Sequence, residues 1–155
     1  MMKRKAVLVQ PDPQDWAILE QASKIDHQAF LTDGISVFNL SQFTRSGSLY
    51  CLVIEGCIVV GEAVILKNIY DNGALVFGFA VDSACQSKGY GAIMLELLKE
   101  ECLNKGIEYL ELTMNPENTA AKKLYTEKFG FVKKTELSVH PEKGEPRWLM
   151  RLDLK

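Results

Sequence analysis

The apolar positions of the chain change period several times, and each change marks an element. Lys5–Gln10 alternates as a strand would, and Pro11-Asp12-Pro13 ends it. Asp15–Phe30 then repeats at helical spacing through Trp16, Ile18, Leu19, Ala22, Ile25 and Ala29. The stretch "LTDGIS" reads as a turn and Val37–Thr44 as a short helix. Three strand-like runs follow, "LYCLVIEG", "CIVVGEAVILKNIY" and "ALVFGFAVD". Glu55-Gly56 and Asp71-Asn72-Gly73 between them are hairpin-type turn signals, so the middle of the chain predicts an antiparallel meander.

From Gly91 the period becomes helical again, with Ile93, Met94, Leu97, Leu98 and Cys102 on one face. Asn104-Lys105-Gly106 closes that helix with a glycine where helices commonly end. "IEYLELTM" (107–114) predicts a strand, and Asn118 caps a helix through Ala121, Leu124 and Tyr125 towards Gly130. "FVKKTELSVH" and "RWLMRLDL" pair as a final hairpin across Pro141–Pro146. A strand, helix and strand in the middle of this order imply a parallel crossover, right-handed by default. The fold class is therefore α/β, with a mixed, mostly antiparallel twisted sheet, a central parallel pair and flanking helices. At 155 residues, the whole of 1–155 reads as one domain.

Charge removes several function classes. The chain has 18 basic and 20 acidic residues, a net of −2, which argues against nucleic acid as the main partner. No signal peptide or membrane span is expected, which makes the cytoplasm the default location. Cys51, Cys57, Cys85 and Cys102 form no CxxC pair, and His27 and His140 are the only histidines, so no metal site is expected. Buried or idle reduced thiols are the plainer reading of the cysteines.

"CQSKGYGAIM" (85–94) is the stretch that asks for chemistry. It lies between a strand ending at Val81-Asp82 and the mouth of a helix. Backbone N–H groups of Gln86–Gly91, with the unpaired N–H groups and positive dipole end of the helix, suit an anion such as a pyrophosphate. Gly89 and Gly91 allow unusual dihedrals and close approach. Taken alone this is a weak signal, since many such turns are only tight turns. A P-loop is absent, and the third glycine of a dinucleotide fingerprint is replaced by Met94.

"FAVDSACQSKGYGAIMLELL" resembles the cofactor motif of the GNAT superfamily of acetyl-CoA-dependent N-acetyltransferases, (Arg/Gln)xxGx(Gly/Ala), at Gln86, Gly89 and Gly91. "NTAAKKLYTEKFGF" resembles the second signature, at Asn118, Ala121, Leu124, Tyr125 and Gly130-Phe131. Four residues separate Tyr125 from Gly130, where three is commoner. The resemblance implies the GNAT fold, in which the central parallel strands splay apart. It also implies acetyl-CoA as cosubstrate without a metal. Its pantetheine arm would lie along Phe79, Ala80 and Val81, and its diphosphate on Gln86, Ser87, Lys88, Gly89, Tyr90 and Gly91. Asn118 and Ala121 would adjoin the arm, and Tyr125 would be the general acid.

The implied reaction is direct attack of a primary amine on the thioester in a ternary complex. A non-catalytic acyl-CoA-binding sensor of the same fold is the alternative. The base is open: Glu62, an acid inside an apolar strand, is either functional or a solvent-facing residue on a half-exposed strand, and Glu55, Asp33 and Asp26 are weaker candidates. The pair Asp26-His27 reads as a polar face of the first helix. The acceptor, a small-molecule amine or a protein amine, is unreadable, as are a homodimer and acyl groups larger than acetyl. Phe30, Phe38, Phe43 and Trp148 are candidates for its pocket, with core packing the better reading of any one of them.

Overall fold

A computed structural model describes residues 5–154. The strands are β1 (Ala6–Val9), β2 (Leu49–Ile54), β3 (Ile58–Lys67), β4 (Gly73–Val81), β5 (Tyr109–Met114), β6 (Val132–Leu137) and β7 (Arg147–Asp153). The helices are α1 (Trp16–Phe30), α2 (Val37–Arg45), α3 (Tyr90–Asn104) and α4 (Thr119–Lys123). The strands form one seven-stranded sheet in the order β1-β2-β3-β4-β5-β7-β6. The expected parallel pair is β4 with β5, in register from Gly73↔Tyr109 to Leu75↔Glu111. Both strands continue past that point, β4 to Val81 and β5 to Met114.

The chain gathers into two compact units. The first holds the chain up to Leu66 together with Phe77–Glu100. Its core is built by α1, α2 and the sheet: Leu19, Ala22, Ile25, Leu40, Leu49, Cys51, Val53, Val59, Val64 and Ala80 are all buried. Asp15 caps α1 by accepting from Ile18 N, and Ser36 caps α2 by accepting from Asn39 N. Every residue of β2 is buried, and β3 is buried from Val59 to Val64 on both faces. A strand covered on two sides loses the polar alternation that would reveal its faces. α3 packs close to β3 because Gly61 has no side chain: a Cβ there would stand 2.9 Å from Met94 Sδ and 3.3 Å from Ala80 O.

The second unit holds Lys67–Val76 and the chain from Glu101. Here β7 pairs antiparallel with both β5 and β6. β6 is the outermost strand, and all six of its residues are exposed. The turn before β4 is tied to β5 by the Tyr109 hydroxyl, which donates to Asp71, and the Tyr109 ring lies on the bare face of Gly73. The Arg151 guanidinium lies 3.7 Å from the centre of the same ring.

Candidate active site

In the first unit, β4 delivers the chain through Phe79, Ala80 and Val81 to a short 3₁₀ turn at Ser83–Cys85. Asp82 caps that turn by accepting from Ala84 N, and Asp82 N donates to Val60 O at 2.8 Å. Gln86, Ser87, Lys88 and Gly89 are then exposed. Two of them have left-handed backbone, Ser87 at φ 66° and Gly89 at φ 86°. A serine in that region costs about 1–2 kcal/mol, a strain that tends to collect at functional loops. The expectation for Gly91 is corrected: it lies in the first turn of α3 with helical backbone, and Ser87 is the second unusual position.

The first helical bond of α3 runs from Ile93 N to Gly89 O at 3.1 Å. Gly89 therefore stands where a capping side chain would be, and it has none to offer the free N–H groups behind it. Nothing lies within 4 Å of a Cβ built on Gly89. No acid occupies the first turn, and Lys88 adds a cation beside it. Open N–H donors, a positive helix end and bare backbone fit a phosphate group. Among the described residues no group of three or more His, Cys, Asp and Glu could hold a metal ion.

The first unit also contains the acid singled out in the sequence. Glu62 on β3 is wholly buried, so the solvent-facing alternative is wrong. Its neighbour is Asp26 of α1, 1% exposed, which corrects the reading of Asp26 as part of a polar face. Burial, and then Asp26, hold the Glu62 carboxyl well above the usual carboxylate range. Asp26 Oδ2 accepts from Ile35 N at 2.6 Å. Cys51 faces Glu62 across the β2–β3 register, and burial together with Glu62 pushes its thiol up to about 12. The sequence held one clue, Glu62 within an apolar strand, but helix and strand positions far apart in the chain do not announce that they meet.

In the second unit, Asn118 caps α4: its Oδ1 accepts from Ala121 N at 3.1 Å, and Lys122 N donates to Asn118 O. Tyr125 follows two helical turns later and is half-buried. Its ring meets Phe131 edge-on at 5.6 Å, and burial pushes its phenol up to about 12. The extra residue between Tyr125 and Gly130 has a structural outlet. Leu124–Lys128 is a π-helical turn, closed by Phe129 N donating to Leu124 O at 3.3 Å. A wider turn absorbs one residue downstream and leaves the register from Asn118 to Tyr125 regular. The ammonium groups of Lys122 and Lys133 each lie over the ring of Trp148 on β7, at 4.9 and 4.2 Å from its centre. Phe38, by contrast, is exposed in the first unit, and Phe43 meets Phe77 with the rings tilted by 40° and their centres 6.1 Å apart.

Known structures share this fold. The ribosomal-protein-S18-alanine N-acetyltransferase from Escherichia coli matches with a TM-score of 0.78 at 23% identity, covering 97% of this chain and 95% of that one. Ard1 from Thermoplasma volcanium matches at 0.79 and 22%, over 96% and 97% of the two chains. Diaminobutyrate acetyltransferase EctA from Paenibacillus lautus, solved with L-2,4-diaminobutyric acid and coenzyme A, matches at 0.71 and 19%, over 96% and 95%. No curated protein sequence matches the chain. The family model for the acetyltransferase (GNAT) family matches residues 14–131, which include β4, the glycine loop, α3 and Tyr125. The chain belongs to the acetyltransferase (GNAT) family.

Proposed function

We propose that the protein moves an acetyl group from acetyl-CoA to a primary amine by direct attack in a ternary complex. The observation that carries this reading is the exposed, strained turn Gln86–Gly89, which leads through a glycine into an acid-free helix start at Tyr90-Gly91. Within an acetyltransferase family the anion is the diphosphate of coenzyme A, held by Gln86, Ser87, Lys88, Gly89, Tyr90 and Gly91. Phe79, Ala80 and Val81 run along the pantetheine arm, which carries amides that a strand can bond. The family resemblance assigns contacts with the same arm to Asn118 and Ala121.

Attack by an amine needs a neutral nitrogen, stabilisation of the oxyanion and a proton for the departing thiolate. Tyr125 supplies that proton. Pushed up to about 12 by burial, the phenol is protonated at neutral pH, as a proton donor must be. Glu62 serves the amine's proton. Fully buried, it acts through an intermediate and not by surface contact, and burial raises its affinity for the proton. The exposed Phe38 and Phe77 with half-buried Phe43 offer apolar surface to an acceptor.

Calorimetric titration with acetyl-CoA, followed by a primary-amine panel with detection of the released thiol, tests the reading. Binding with amine-dependent release supports it. Binding with no release from any amine favours the non-catalytic acyl-CoA sensor, and no binding removes both.

A further inference from the structure

The turn that leads into the glycine loop has four consecutive backbone donors, and all four are occupied. Asp82 N donates to Val60 O of β3, and Ser83 N donates to Gln28 Oε1 of α1 at 3.1 Å. Ala84 N donates to the Asp82 side chain and Cys85 N to Asp82 O. Among the described residues, the backbone N–H groups of Gln86, Ser87, Lys88 and Gly89 make no hydrogen bond. At Gln86 the chain changes from clamped donors to open ones.

Two of the four bonds lie within the turn and only shape it. The other two attach it to the first unit, Asp82 to the sheet and Ser83 to α1. A turn held at one point can pivot about it, and a second attachment on a different element removes that swing. Gln28 supplies the second attachment across 55 positions of sequence. It stands on a braced helix end: Leu31 N donates to His27 O, and Ile35 N is held by Asp26 Oδ2 while Ser23 Oγ donates to Ile35 O. Gln28 and Ser83 are both exposed, so water competes for their bond and its part in global stability is small. What the bond sets is the direction of the open donors that follow.

We propose that Gln28 is a positioning residue for cofactor binding: its amide oxygen holds Ser83 N and so sets the angle at which Gln86–Gly89 offers its N–H groups to the diphosphate. The assignment rests on the acetyltransferase reading for the identity of the anion. Because Gln28 acts through Ser83, its effect belongs to the diphosphate end of the cofactor and not to the thioester end.

Two substitutions test it, since Gln28→Ala removes the acceptor and Gln28→Glu keeps one. In Gln28→Ala the calorimetric Kd for acetyl-CoA should rise about threefold to tenfold, the worth of one ordinary hydrogen bond. S-acetylpantetheine carries the arm and thioester without the diphosphate, and its kcat/KM should stay within twofold of wild type while that of acetyl-CoA falls. Amide exchange at Ser83 should quicken at least threefold in Gln28→Ala and stay slow in Gln28→Glu. The proposal is overturned if Gln28→Ala binds acetyl-CoA as wild type does, if both thioesters lose kcat/KM equally, or if Ser83 exchanges no faster. Loss of the function reading looks different: wild type would then bind no acetyl-CoA, while Ser83 exchange would still separate Ala from Glu.

Discussion

Glu62→Gln should make the folded protein more stable, and the gain should grow with pH. The side chain is wholly buried beside Asp26, with Cys51 opposite it on β2. In the unfolded chain Glu62 titrates near its ordinary value of 4.5, whereas in the fold it holds its proton well above that. Folded protein then binds one more proton than unfolded protein between those two values. Its contribution is fully present below pH 4.5 and is lost as pH rises towards the folded pKa. The slope within the window is about 1.4 kcal/mol per pH unit, so two units of it amount to roughly 3 kcal/mol. Glutamine keeps the shape, cannot ionise and offers an N–H donor to Asp26 at every pH.

Urea unfolding of both proteins from pH 4.5 to 8 measures the difference directly. Subtracting the two curves removes the titration that is common to both proteins. The two stabilities should nearly coincide at pH 4.5, with the variant pulling ahead above it. Curves that stay parallel across the range would refute the claim that Glu62 is held protonated by its surroundings.

Other substitutions read the rest of the site. Tyr125→Phe should lower kcat by about 10²-fold, the lower end of what general-acid assistance gives, with acetyl-CoA affinity and Tm nearly unchanged; steady-state kinetics beside calorimetry decide it. Gly89→Val forces a branched residue into φ 86° at the proposed phosphate loop and should weaken acetyl-CoA binding at least tenfold, seen by titration of the folded variant. Asn118→Ala should cost about 1 kcal/mol through the lost cap, and Asn118→Asp should restore that stability. If Asn118 also holds the cofactor arm, the Asp variant will regain stability in urea without regaining acetyl-CoA affinity.

Much of this architecture was legible in the chain because its periods are strong and its turns well marked. The helix α3 begins one residue before the expected Gly91, and β5 begins two residues inside the expected 107–114. The parallel β4–β5 pair follows from the strand, helix and strand order alone. The acids were not legible. An acid in a half-exposed strand and one in a doubly covered strand look the same in sequence, and only packing tells that Glu62 is inside. Asp26 looked like helix surface beside His27, yet a backbone N–H from Ile35 and the neighbouring Glu62 account for its burial. The glycine loop was placed correctly, but a left-handed Ser87 cannot be read from residue type, since serine does not require that conformation. The π turn after Tyr125 had a one-residue trace in the spacing, whose structural meaning needed the hydrogen bonds.

The central claim is acetyl transfer from acetyl-CoA to an amine, and thiol release tests it most directly. Wild-type protein is mixed with acetyl-CoA and a panel of diamines, amino acids and peptides with free N-termini, and free coenzyme A is followed with a thiol reagent. The account predicts release that depends on at least one amine, with a matching mass increase of one acetyl group on that amine. Saturable binding of acetyl-CoA, with thiol release no faster than in protein-free controls for every amine and peptide offered, would contradict it.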